Sequence, residues 1–384
     1  MDNVASSEPV LDAARQAQAR RYARTKRYLS LVDYLLGGFL LVALLASGLS
    51  SRLIDFLALS SVAGALIYFL VLTAAYALIT APLDYYSGLV LPRRYGLSRQ
   101  TLVNWLGDHL KTAGLGLFLG SGLVSMAYWL LSFTPEWWWL WGWVAVMLIS
   151  LVLSVLAPVI ILPMFFKTKP LADGEIKARL EKLAQAARVK VRGIYTVEFS
   201  AKNTTANAAL MGAGATRRIL LSDTLLDKYT PPEITVIMAH EMGHQRHRDM
   251  LRLFIFQGLV MLASFFGAAL VFKALTESLG FKDVSDAAAL PLLILVFGLM
   301  GLVMTPLTAF FTRRVESQAD FFAITLTGDS DSFISAMAKL TDQNLAEGTP
   351  PRWVEVLLDD HPSYRQRVAM AQRFKATQLS ANSS

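Results

Sequence analysis

Long uncharged runs dominate the chain. Six of them, residues 31–49, 56–83, 113–133, 137–166, 253–272 and 287–311, are apolar almost throughout. Each is long enough to cross a bilayer core of about 30 Å as a helix. One such run could be a buried helix of a soluble protein; six in one chain predict a polytopic membrane protein. The stretch between the fourth and fifth runs is patterned differently. Ile176, Leu180, Leu183 and Ala187 recur at helical spacing over 173–188, which predicts an amphipathic helix. Residues 193–199 and 218–222 are rich in β-branched and apolar side chains and read as short strands. Between them, 201–214 is small, polar and glycine-containing, which suits a loop or an edge strand. Thr230-Pro231-Pro232-Glu233 has the form of a capping box with proline at the first helical position. It predicts a helix from Pro231 through Ile237, His240 and His244.

The pattern divides the chain into an N-terminal segment (1–28), a four-span region (29–166), a catalytic insert (167–250), a two-span hairpin (251–311) and a C-terminal part (312–384). Composition sharpens this picture. Hydrophobic residues make up 54% and charged residues 17% of the chain, against about a quarter charged in soluble domains. The first 28 residues are polar and no small-residue cleavage site follows, so no cleavable signal peptide is expected. No cysteine is present, which excludes disulfides, iron–sulfur clusters and thiolate zinc sites. The net charge of +7 is arranged as a membrane protein arranges it, so a nucleic-acid partner is not expected. Arg15, Arg20, Arg21, Arg24, Lys26 and Arg27 precede the first span, and Arg93, Arg94, Arg99 and Lys111 lie between spans two and three. Basic residues are frequent again over 167–252 and after Arg313. The alternate loops are neutral or acidic, with Glu136, and with Glu277, Asp283 and Asp286 against Lys282. By the positive-inside rule both termini and the insert face the cytosol, as an even number of spans requires. Trp137, Trp138, Trp139 and Trp141 fit an interfacial aromatic belt at the opposite face. Arg246, His247, Arg248 and Arg252 read as a membrane-surface anchor.

The predicted helix carries His240-Glu241-Met242-Gly243-His244. Residues four apart share a helical face, so two imidazoles can bind one Zn²⁺ while the intervening carboxylate reaches water activated there. A chance match need not fall on a helix; here the cap signals the helix independently. A catalytic zinc needs a third protein ligand. The extended pattern with a third histidine is excluded, because His247 and Met250 stand where glycine and histidine would be required. Downstream, His361 is the one remaining histidine, so a carboxylate is favoured. Glu316 and Asp320 lie four apart where span six leaves the membrane on the side from which the zinc helix enters span five. Glu316 is therefore expected to bind the metal and Asp320 to orient a ligand histidine; both could instead be solvated helix carboxylates. Glu241 is expected to act as general base and then general acid. His361 and Arg367 are candidates to stabilise the oxyanion, with ordinary surface residues as the alternative. His109 and His247 are expected to be structural or solvent-facing.

Together these residues resemble the type I CAAX prenyl protease family of multi-span zinc proteases, over nearly the whole chain after about residue 20. Tyr85-Tyr86-Ser87, Arg94-Tyr95-Gly96-Leu97-Ser98-Arg99-Gln100-Thr101 and Asp108-His109-Leu110-Lys111 resemble the family's first cytosolic loop. Lys169-Pro170-Leu171-Ala172-Asp173-Gly174 matches the lead into the insert. Glu316-Ser317-Gln318-Ala319-Asp320 is similar to the third-ligand motif, and His361-Pro362 with Arg367 to the C-terminal motif. The resemblance implies that Asn207, in Thr205-Ala206-Asn207-Ala208-Ala209, holds substrate backbone beside the zinc. The Ser-His before that asparagine and the aromatic after it in typical members are absent here. Eukaryotic members usually have seven spans against six here, which suggests a prokaryotic member and a cell inner membrane.

The expected fold is mainly α: a polytopic membrane protein with about six transmembrane helices and a small zincin-like α+β cytosolic catalytic domain. The expected activity is zinc-dependent endoproteolysis of membrane-associated protein or peptide substrates, lipidated ones among the candidates, with the lipid bilayer as a further partner. The alternatives are a heat-shock-type quality-control protease, whose N-terminal half would be shorter, and a scaffold or transporter with a degenerate site. A transporter needs ionisable residues at mid-membrane, and the spans carry almost none.

Overall fold

The computed structural model describes residues 11–212 and 217–382. Its N-terminal half consists of α1 (Ala13–Ala46), α2 (Leu49–Leu57), α3 (Ser61–Tyr85), α4 (Leu91–Arg94), α5 (Leu102–Phe133), α6 (Trp138–Leu156) and α7 (Leu162–Phe165). The insert contributes β1 (Thr168–Pro170), α8 (Glu175–Ala186), β2 (Gly193–Val197), β3 (Ala208–Met211), β4 (Arg218–Ser222), α9 (Asp223–Lys228) and α10 (Pro231–Arg246). Then follow α11 (Asp249–Ser278), α12 (Leu290–Thr327), α13 (Ser330–Gln343), α14 (Arg352–Leu357) and α15 (Tyr364–Asn382).

Among the described residues six helices are long and apolar enough to cross a membrane: Ala13–Ala46, Ser61–Arg94, Leu102–Phe133, Trp138–Phe165, Asp249–Ser278 and Ala287–Thr327. They coincide with the six apolar runs. Large apolar side chains such as Phe39, Leu78 and Phe118 point outward from them, as lipid-facing residues must. Spans two to six are tied together by a shared core around Tyr68, Tyr128, Trp138, Phe272 and Leu292.

Two helices run well beyond their apolar stretches. α1 begins at Ala13, so the polar residues 13–28 are helical. That half of the helix is held by neighbours: Gln16 donates to Asp342 at 2.9 Å, and Ala19 is buried against Leu97 and Leu345. The chain turns out of α1 at Gly48, whose φ of +64° favours glycine. α12 continues without interruption through residue 311 to Thr327, placing Ala323 and Ile324 in the core of the catalytic unit.

The four strands form one sheet in the order β1-β2-β4-β3. β1 pairs antiparallel with β2, β2 parallel with β4, and β3 antiparallel with β4. β3 therefore ends the sheet, and 201–214 contains an edge strand rather than only a loop. β1 has three residues with Pro170 among them, too short for its pattern to be read. Leu180, Ile219, Leu221, Leu225, Ile234 and Phe333 form the core between sheet and helices.

α10 starts at Pro231 as its sequence requires. Glu233 accepts the Thr230 N–H at 2.8 Å, Ser335 Oγ at 2.6 Å and Lys339 Nζ at 2.7 Å. Burial alone would raise its pKa, but Lys339, Ser335 and the Thr230 amide outweigh burial and lower it. A depressed pKa stabilises the fold above the unfolded-state value of about 4.3 and is lost as pH falls through the folded value. Glu233→Gln should destabilise the protein by about 1–3 kcal/mol at neutral pH, with a smaller loss below pH 4. Thermal melts in detergent at both pH values measure this; equal melting temperatures for variant and parent would show the cap to be idle.

Candidate active site

α10 presents His240 and His244 on one face, and α12 crosses that face. The crossing is close because residue 243 is glycine. A Cβ there would meet the Ala319 Cα at 3.2 Å and Phe322 Cδ1 at 3.1 Å. The close approach brings Glu316 to both histidines. His240 Nε2 and His244 Nε2 lie 3.2 Å apart, and Glu316 Oε2 and Oε1 lie 3.3 and 3.4 Å from them respectively. Ligands bound at about 2.0–2.1 Å around one tetrahedral ion stand about 3.3 Å apart. Glu316 Oε2 is buried and accepts no hydrogen bond, which is costly for a carboxylate oxygen unless a cation meets it. The described residues contain one such cluster of potential ligands, His240, His244 and Glu316. The spacing, the unsatisfied oxygen and the donor set all fit a metal ion.

Both imidazoles are fixed from behind. His240 Nδ1 is 2.8 Å from Asp320 Oδ1, and Asp320 is only 1% exposed. Arg367 grips the same carboxylate with two nitrogens, Nε at 2.8 Å from Oδ2 and a terminal nitrogen on Oδ1. Burial acts to lower the pKa of His240, but Asp320 and Glu316 outweigh it and push the pKa up to about 10.

His244 Nδ1 is 3.0 Å from Asp249 Oδ2, and Asp249, also 1% exposed, is held by Arg252 at 2.7 Å. Sequence reasoning missed Asp249. The signal available was a carboxylate five residues after the second histidine, but its reach depends on the turn at Arg248, whose φ is +57°. Arg252 also donates to Gln318 at 2.8 Å, so it braces the site instead of serving only as a surface anchor. Asp249→Ala should lower metal affinity about 10–100-fold, measured by competition with a chromogenic chelator. An unchanged affinity would rule out its support of His244.

The other candidate residues surround a cavity of about 600 Å³. His240, Glu241, Asn207, His361 and Arg367 all line it. The half-buried Glu241 carboxylate has no ion-pair or hydrogen-bond partner among the described residues. His361 Nε2 stands 3.3 Å from Glu316 Oε2 and its Nδ1 2.7 Å from Asp360. Arg367 is largely committed to Asp320. Asn207 has an exposed side chain immediately before β3, with its backbone bonded to Ser222. The structure keeps two histidines away: His109 stacks on Trp105, and His247 packs edge-on against Phe322.

Fold and site together define a membrane-embedded metalloendopeptidase. The chain belongs to peptidase family M48, whose description it matches over residues 170–375. Residues 5–167 match a companion domain, the CAAX prenyl protease N-terminal region with five membrane helices. Among the described residues, four long apolar helices stand in that region here. An uncharacterized metalloprotease of Bacillus subtilis, YhfN, is 31% identical over 368 residues, covering 93% of this chain and 85% of that one. CAAX prenyl protease 1 of Saccharomyces cerevisiae is 27% identical over 80% of this chain and 72% of its own. The crystal structure of Ste24p from S. mikatae superposes with a TM-score of 0.82 over 97% of this chain and 91% of that one, at 23% identity. The fold is therefore shared.

Proposed function

We propose that the protein is a zinc-dependent endopeptidase that cuts membrane-associated proteins or peptides at the cytosolic membrane surface. The observation that carries this reading is the trio His240, His244 and Glu316 at tetrahedral spacing, with a buried carboxylate oxygen left unsatisfied, beside a cavity that also holds Glu241.

In this reading His240, His244 and Glu316 hold the ion, oriented by Asp320 and Asp249. When bound, zinc supplies Lewis acidity and makes water a nucleophile near neutral pH. Glu241 takes one proton from the attacking water as its oxygen bonds to the scissile carbonyl carbon. Glu241 then returns that proton to the leaving nitrogen as the C–N bond breaks. His361, its ring fixed by Asp360, donates from Nε2 to the developing oxyanion. Arg367 locks Asp320 and through it His240, with its remaining N–H groups available to the same oxyanion. Asn207 offers its amide to the substrate backbone. The basic residues of α1 and of the insert support a cytosolic site by the positive-inside rule, in the cell inner membrane if the source is prokaryotic.

The first loop favours the CAAX-protease type over a quality-control protease. It is built into the insert: Arg99 N–H donates to the Lys202 carbonyl at 2.8 Å and Thr204 N–H to the Leu97 carbonyl at 3.1 Å. The test is proteolysis of a prenylated CAAX peptide and its unprenylated twin by purified protein in detergent, with zinc content and chelator controls. Chelator-sensitive cleavage of the prenylated peptide alone supports the CAAX type. Zinc-dependent cleavage of both moves the reading to a general membrane protease, and no zinc with no cleavage refutes the enzyme.

A further inference from the structure

Arg15 of α1, Arg99 of the first loop, Lys228 at the end of α9 and Lys339 of α13 line a cavity of about 650 Å³, separate from the one that holds His240 and Glu241. Like charges gathered by a fold repel one another unless anions offset them. Here the offset is incomplete. Lys339 Nζ pairs with Glu233 at 2.7 Å. Arg15 is held by neutral groups, its Nε donating to the Asp342 carbonyl at 3.2 Å and its Nη1 to Gln18 at 3.3 Å. The exposed Arg99 and Lys228 side chains have no ion-pair or hydrogen-bond partner among the described residues. Asp342 is the one carboxylate among the described lining residues. It is turned to α1: Oδ2 accepts the Asp12 N–H and Oδ1 the Gln16 amide, each at 2.9 Å.

The place of this cavity along the helices decides where its ligand comes from. On α1, Arg15 precedes the apolar run at residue 31 by about 24 Å of helix. On α5, about 17 Å of helix separates Leu102 from the apolar stretch at 113. A headgroup layer adds only about 5–8 Å to each side of the hydrocarbon core. The cavity therefore opens to water beyond the headgroups. Among the described residues no aromatic ring lines it, so it offers no stacking platform for a base. Convergent guanidinium and ammonium groups match the several oxygens of a phosphate.

We propose that Arg15, Arg99, Lys228 and Lys339 form a binding site for a compact, multiply charged phosphate anion taken from the aqueous phase. Bound there, the anion offsets the repulsion among the four cations and clips α1 and the first loop to the insert and α13. Gln343, which lines this site, donates to the Thr204 carbonyl at 2.7 Å, and its neighbour Asn344 lines the catalytic cavity. Occupancy thus stiffens a wall common to both cavities. The site does not depend on the protease reading, which its failure would leave standing.

The test is calorimetric titration of full-length, metal-loaded protein in detergent with inorganic diphosphate, paired with thermal melts. The parent should bind with an affinity that falls as salt is raised, and its melting temperature should rise with diphosphate by mass action. Diphosphate also ligates metal ions, so the difference between parent and variants isolates the cationic site. Arg99→Ala combined with Lys228→Ala should weaken binding about tenfold or more, the size expected when hydrogen bonds to a charged group are lost. Neither side chain has a partner within the protein, so metal content and the melting temperature without diphosphate should hold. Arg20→Ala combined with Arg21→Ala removes the same charge from exposed positions of α1 outside the cavity, and should leave binding unchanged. Equal weakening by both pairs would reveal a diffuse basic surface and overturn the site, as would full-strength binding without Arg99 and Lys228. No binding by the parent would overturn it whatever the variants do. Short-chain phosphatidic acid in mixed micelles probes the other source of phosphate: its binding to the parent, with none of diphosphate, would overturn a water-borne ligand.

Discussion

Glu241→Gln should bind metal as well as the parent and hydrolyse peptide on the order of a thousandfold more slowly. Glutamine keeps the size of the side chain and a hydrogen-bonding oxygen but cannot accept and return a proton at neutral pH. Glu241 is half-buried, lines the cavity with His240, and carries no ion pair that its loss would break among the described residues. The effect should therefore fall on kcat, with stability and metal content unchanged. Steady-state kinetics with zinc content per chain would check this. A variant within tenfold of the parent would remove Glu241 from the proton transfers.

Glu316→Ala should lose metal outright. The carboxylate supplies the corner of the site that faces both imidazoles, at 3.3 and 3.4 Å. Removing an outer partner such as Asp249 costs about 10–100-fold in affinity; removing an inner ligand should cost on the order of a hundredfold at least. Glu316→Gln, with the volume kept, should also lose metal, which separates ligation from packing. Full zinc occupancy in either variant would refute the ligand assignment.

The parts of this architecture that could be read from sequence are those fixed by covalent spacing. His240 and His244 share a face because they are four residues apart on one helix, and the capping box at Thr230 announced that helix. Glu316 and Asp320 stood out by the same periodicity, as two carboxylates just beyond an apolar run. The spans were legible because lipid exposure demands unbroken apolar sequence. What escaped depends on contacts between distant segments. The helical residues of α1 before 29 carry only a short apolar patch around Ala19, and their other partners are polar groups of residues 342–348. Asp249 reaches His244 only because the chain turns back at Arg248. β3 is a four-residue edge strand within a mostly small and polar stretch, whose pattern a loop would equally satisfy. Arg367 reads from sequence as an oxyanion candidate or a surface residue, and its grip on Asp320 across the fold is not visible there.

α12 runs unbroken for 38 residues, about 57 Å at 1.5 Å per residue, nearly twice the thickness of a hydrocarbon core of about 30 Å. One end is lipid-embedded and the other carries Glu316. α11, the neighbouring span, begins at Asp249, which steadies His244. The two spans thus act as levers whose short arms are the walls of the active site. Tilting them to match a thinner or thicker membrane shifts Glu316 and Asp249 against α10, which does not itself cross. Peptide hydrolysis measured in vesicles of increasing lipid chain length at fixed pH should therefore change in rate, and a rate independent of bilayer thickness would show the two spans to be uncoupled from the site.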